Sequence, residues 1–264
     1  MSKQSVAPSF DALPTANHPS NWMAKLLTLS LAGLALSTLP VRADHNEDRD
    51  RDRDREHNGE GRPLLASPQS RAYGKSLSEW LNLYWNWNLR GQDASKSVVN
   101  GVKFLPLPAG EQISGTGTPI DPALYRGQVE VTIDSETPFV LPLAGWITET
   151  YNNGTPEDAP FSDERFLTAI SPYFTIDNQL VLSDCNELDF YVPPTPLKPI
   201  VNYSAPSSYG SIAATGFQSI GVVGRPLPVG VHRIHLYEPY IVPGMFGTIF
   251  DNTWIITVKK AAPH

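Results

Sequence analysis

The chain has 264 residues, a formal net charge of −7, 41% hydrophobic residues and a single cysteine, Cys185. That length fits one large or two small domains, and the acidic balance argues against nucleic acid or an anionic lipid surface as partner. One thiol excludes an internal disulfide, so stability rests on a packed core or on association; Cys185 itself reads as a small buried apolar residue.

The first 22 residues are polar and unpatterned. Met23 then opens a tighter arrangement: Lys25 supplies positive charge, Leu26 to Leu39 is mostly apolar, Pro40 ends the run, and Val41-Arg42-Ala43 places small residues at the −3 and −1 positions of a cleavage site before Asp44. This is the layout of a signal peptide, with Met23 as the start of translation. A spanning helix needs about 20 apolar residues; this run is shorter and carries Thr28, Ser30, Ser37 and Thr38, so no stable membrane span is expected after cleavage. No Cys follows Ala43, which argues against a lipoprotein. Residues 1–43 are therefore read as leader and signal peptide, and the protein as exported, to the periplasm or beyond.

Residues 44–66 read as a disordered charged tether. Asp44 to Arg62 holds eight acids and five arginines with no aliphatic residue, and such a segment buries too little apolar surface to offset its ordering entropy. Residues 67–264 read as a single β-rich domain. Its first element is a helix: Ser76 followed three residues later by Glu79 is a capping box, Leu77, Trp80, Leu81, Tyr84 and Trp85 form one helical face, and Gly91 suits a left-handed cap. Trp80, Trp85 and Trp87 either plug the end or side of a sheet or line a groove for a glycan or small planar ligand. Trp87, off the main stripe, is the one placed to face such a ligand.

After Gly91 short apolar runs are separated by Pro, Gly and Asn, as strands are by turns. Strands are predicted at Val102 to Leu107, Gln128 to Asp134, Phe139 to Thr148, Tyr173 to Ser183, Ile212 to Val223, Val229 to Tyr237 and Gly247 to Lys259. Val129, Val131 and Ile133 alternate with Glu130 and Thr132, the mark of a half-buried strand. Pro142 predicts an edge or a bulge. Ser162 to Ile170 predicts a short second helix capped by Ser162. Pro193, Pro194, Pro196 and Pro199 predict a rigid extended connector. The expected fold is mainly β, an antiparallel β-sandwich or jelly roll bearing the aromatic helix.

Tyr73-Gly74-Lys75-Ser76, Glu79-Trp80, Tyr84-Trp85-Asn86-Trp87, Phe139-Val140-Leu141-Pro142-Leu143 and Pro228-Val229-Gly230-Val231-His232-Arg233-Ile234 together carry a resemblance. They are similar to a group of small exported bacterial proteins of unknown function with a YGK-like segment, a Trp-rich N-terminal helix and a Pro-x-Gly-x-His strand. The resemblance spans residues 73–258, implies export and a β-rich fold, and carries over no catalytic residue.

Chemistry-bearing residues are sparse. His232 and His235 lie three apart, on opposite faces of a strand, so they cannot share a metal; His232 reads as a hydrogen-bonded, half-buried residue. Asp184, Glu187 and Asp189 follow a strand end and either form a solvated turn, hold Ca²⁺ through oxygen or act as an acid/base pair. Asp163 and Glu164 suit a helix N-terminus. No nucleophile elbow, zinc-protease motif, phosphate-binding loop or dinucleotide fingerprint is present, and no cofactor is predicted. The leading reading is a non-catalytic binding or envelope-associated module with an aromatic-lined groove. The alternative is an extracytoplasmic hydrolase or lyase acting on a glycan or polymer through His235, Asp184, Glu187 or Tyr237.

Overall fold

A computed structural model describes residues 63–261; the leader and the charged segment up to Arg62 lie outside the described residues. In chain order the elements are α1 (Leu77–Asn88), β1 (Val98–Val99), β2 (Val102–Phe104), β3 (Glu111–Ser114), β4 (Ala123–Asp134), β5 (Phe139–Tyr151), α2 (Asp163–Ala169), β6 (Tyr173–Ile176), β7 (Gln179–Leu182), β8 (Tyr191–Asn202), β9 (Ser211–Gly224), β10 (Gly230–Val242) and β11 (Phe246–Lys259). The strands form two sheets, β1-β2-β5-β9-β8 and β3-β4-β11-β10-β6-β7. The architecture is mainly β and fits a β-sandwich. Pairing is antiparallel except at β11–β4 and β2–β5, which run parallel.

The capping box forms: Ser76 Oγ accepts from the Glu79 amide, and the Glu79 carboxylate accepts from the Ser76 amide at 2.7 Å. α1 lies across the five-stranded sheet against β8, β9 and β5. Two glycines let it approach. A Cβ at Gly145 would stand 2.6 Å from the Trp85 ring, and one at Gly221 would stand 2.6 Å from Leu81. β9 is consequently buried on both faces from Gly216 to Gly224, between helix and second sheet. The layers are helix, five-stranded sheet, six-stranded sheet; the last keeps a solvated outer face, and the edge strand β8 of the five-stranded sheet is also largely exposed.

This layering corrects the aromatic groove drawn from the sequence. Trp80, Trp85 and Trp87 are 0, 6 and 8% exposed. Trp80 packs edge-on to Phe104, and its Nε1 donates to the Ala72 carbonyl at 2.8 Å; Trp87 Nε1 donates to the Asp93 carbonyl at 2.8 Å. Rings that each bury on the order of 150–250 Å² are worth more to this thin sandwich as core than as ligand surface.

Other boundaries shift for local reasons. Leu65 and Ala66, assigned to the tether, are buried, and the Ala66 amide donates to the Val223 carbonyl at 2.9 Å. The predicted strand at Tyr173 to Ser183 is a hairpin, β6–β7, because Asp177 and Asn178 take φ values of 51° and 63°, as a two-residue primed turn requires. The proline-rich connector is instead strand β8, at the sheet edge where missing amides cost nothing. Pro142 sits at a register shift, the expected bulge, inside central strand β5. α2 is capped by the Ser162 hydroxyl, as predicted. Cys185 is exposed, not buried.

Candidate functional site

The outer face of the six-stranded sheet is a grid whose rows are set by strand register. Side chains of one strand alternate between faces, so β10 sends Arg233, His235 and Tyr237 outward while Ile234 and Leu236 go to the core. Pairing aligns Arg126 of β4, Asp251 of β11, Tyr237 of β10 and Tyr173 of β6 in one row. The next row holds Gln128, Thr253, His235 and Thr175, and a third holds Glu130, Ile255 and Arg233. Apart from the buried Thr175, the first two rows, with Gly127 and Arg233, surround an open groove of about 770 Å³.

Asp251 ties the rows together. His235 Nε2 donates to its Oδ1 at 2.8 Å, and Arg126 Nε donates to its Oδ2 at 2.8 Å. Burial pushes the Asp251 carboxyl up, but the hydrogen bonds from His235 and Arg126 outweigh it and hold the group below the usual carboxylate range. With Nε2 donating to a carboxylate, a neutral His235 carries its lone pair on Nδ1. The Arg126 side chain is 59% exposed, and its engagement through Nε leaves the rest of the guanidinium fork for other partners. Tyr173 and Tyr237 are 48 and 40% exposed and directly opposed across β6 and β10.

Of the sequence candidates, His235 and Tyr237 meet here. Asp184 and Glu187 do not line this groove, so the four do not converge on one site. Asp184 is exposed and accepts from the Ser171 hydroxyl at 2.8 Å; Asp189 is exposed on the turn Glu187–Phe190. Glu187 is buried instead of solvated. Burial, then the charge of Asp184, push its carboxyl up to about 7. Among the described residues no three His, Cys, Asp or Glu side chains are arranged to hold a metal ion. The Ca²⁺ expectation at Asp184, Glu187 and Asp189 is therefore corrected: Glu187 turns inward while its neighbours stay in water.

Sequence reasoning missed two acids. Asp251 is invisible as a site residue until register sets it beside His235. Glu238 occupies an inward position of β10, fully buried, with no side-chain partner at either carboxylate oxygen; the nearby Ser171 amide, which draws its carboxyl down, donates to the Pro239 carbonyl at 3.2 Å. Burial, then the charge of Glu187, push it well above the carboxylate range. Its signal was available: it interrupts the inward series Ile234, Leu236, Tyr240, Val242. A third buried acid, Glu149, shows the ordinary solution, since the Tyr203 hydroxyl donates to it at 2.5 Å and that of Tyr209 at 3.4 Å.

His232 reaches two acceptors, its Nδ1 lying 2.6 Å from Asp177 Oδ2 and its Nε2 2.8 Å from the Pro228 carbonyl. Neither acceptor can donate, so making both bonds requires the imidazolium. Burial lowers the ring's pKa, but the bonds to Asp177 and Pro228 outweigh it and leave it raised. The expected half-buried, hydrogen-bonded histidine is thus a clasp joining the β6–β7 turn to the start of β10.

No helix among the described residues is long and apolar enough to cross a membrane. Comparison with protein-family models, with curated proteins and with solved structures finds no match.

Proposed function

We propose that the protein is an exported, non-catalytic binding module, and that its ligand is a glycan lying in the groove on the outer face of the six-stranded sheet. The observation that carries this reading is the opposed pair Tyr173–Tyr237 at the rim of a groove of about 770 Å³. Each ring presents an apolar face with a polar tip, which suits the mixed C–H and hydroxyl surface of a sugar. The aromatic lining comes from two tyrosines rather than from the tryptophans of α1. Export rests on the signal-like leader and on the resemblance carried by Tyr73-Gly74-Lys75 and Pro228-Val229-Gly230.

One observation favours a second reading, an extracytoplasmic hydrolase or lyase. The His235–Asp251 pair at 2.8 Å orients an imidazole beside the groove as a general acid or base would be. A screen of the full chain against glycans and small molecules, scored for both binding and turnover, separates the two. Binding without turnover, abolished in Tyr237→Ala, is expected. Turnover lost in His235→Ala would move the assignment to the enzyme.

A further inference from the structure

The groove has a charge pattern that a neutral sugar does not use. Arg126 and Arg233 face outward at its two ends, and His235 lies between them. The acid lining it, Asp251, is already held by Arg126 and His235. Glu130 lies on this face in Arg233's row, but the groove lining itself holds two arginines against one carboxylate, on a chain of net charge −7. The pair with Asp251 gives Arg126 a structural role, whereas no ion pair among the described residues engages Arg233, and an exposed guanidinium adds little to stability.

Register gives the spacing. Arg126 is aligned with Tyr237 across β11, and Arg233 lies four residues before Tyr237 on β10. With strands about 4.8 Å apart and a rise of about 3.4 Å per residue, the two Cα atoms stand on the order of 15 Å apart, across the sheet diagonal. That exceeds the width of a single sugar ring, so an extended chain meets both arginines without either side chain leaning across the groove. Asp251 also demonstrates the chemistry: a carboxylate sits at 2.8 Å from both Arg126 Nε and His235 Nε2, and the remaining guanidinium donors match a second carboxylate in a planar fork.

We infer, resting on the glycan-binding reading above, that the ligand is an acidic glycan chain bearing carboxylates, a uronate polymer. Its path follows the row from Arg126 to the Tyr173–Tyr237 pair and bends there along β10 to Arg233, with one carboxylate on Arg126, a sugar ring on Tyr173–Tyr237 and another carboxylate on Arg233.

The test is calorimetry on the full chain with three probes of matched length: an oligouronate, a neutral oligoglucoside and a sulfated oligosaccharide. Arg126→Gln and Arg233→Gln are the variants, both at exposed positions, with circular dichroism to check the fold. The oligouronate should bind, and each variant should weaken it about tenfold, the loss expected for one charge-assisted hydrogen bond. Binding should also weaken with added salt through screening. Equal or tighter binding of the sulfated probe would overturn the carboxylate assignment. Binding of the neutral probe, lost in Tyr237→Ala but unchanged in the arginine variants, would overturn the acidic-glycan inference and leave the glycan groove standing. Binding of none of the three would overturn both.

Discussion

Strand β10 carries two opposite electrostatic solutions on its two faces. Outward, Arg233, His235 and Tyr237 stand in water, and the one acid among them, Asp251, is held by two donors. Inward, two residues from His235's neighbour Leu236, Glu238 is fully buried with neither oxygen bonded to a side chain. The elements around it add to the conflict. Glu187 and Asp184 act on it from the turn Glu187–Phe190 and the loop before it, Phe250 faces it in register on β11, and Tyr240 beside it has an unpartnered hydroxyl whose titration burial and then Glu238 push up and Arg165 of α2 draws down. The difference teaches where stability and recognition reside. Polar groups facing water cost little and are available to a ligand, whereas a polar group facing the core is a strain that the rest of the fold must carry.

The largest effects should separate neighbours of opposite facing. Ile234→Ala, at a fully buried position, should lose about 2–5 kcal/mol in urea unfolding, whereas Arg233→Ala should stay within about 0.5 kcal/mol of the parent. Equal losses would contradict the alternation. Next in size, Glu238→Met should stabilise the fold by about 1–3 kcal/mol at pH 8 by removing unsatisfied buried oxygens. The pH dependence has a definite sign. Glu187 and Glu238 have raised folded-state values, so the folded chain keeps protons that the unfolded chain releases. The stability this gives is fully present below the ordinary carboxylate value and declines as pH rises, for Glu187 through about 7. Glu238→Met should flatten that decline, and an unchanged slope would break the account of the inward face.

These acids also mark how far the sequence could be read. The capping box at Ser76 and Glu79, the alternation of Val129, Val131 and Ile133, and the cap of α2 are local patterns, and local physics decides them. The facing of Trp80, Trp85 and Trp87 was not decided locally, because a helix stripe buries equally well against a sheet or around a ligand. Gly145 and Gly221, which admit Trp85 and Leu81, tip that balance only once β5 and β9 are adjacent. Asp251 was illegible for the same reason: the partnership with His235 follows from the β10–β11 register, which no spacing of residues 235 and 251 encodes. The hairpin at Asp177-Asn178 could have been read from its turn residues.

A smaller effect is expected at the His232 clasp. Its raised pKa means that its contribution is fully present below the ordinary imidazole value and is lost as pH rises through the folded-state value. His232→Gln should therefore cost about 1 kcal/mol at pH 6 and little at pH 9. An NMR titration of the ring that gives an ordinary or lowered value would remove the clasp. The smallest stability effects belong to the groove itself: Tyr237→Ala and Arg126→Gln should each change stability by no more than about 0.5 kcal/mol while changing ligand affinity far more.

The most direct test of the central claim, that the ligand lies on the outer face of the six-stranded sheet, is amide chemical-shift mapping during titration with oligouronate. The account predicts that the perturbed amides cluster on β4, β10 and β11 around Gln128, Arg233, His235, Tyr237 and Asp251. Perturbations confined to the surface between α1 and β8, around Lys75, Asn82 and Lys198, would contradict it.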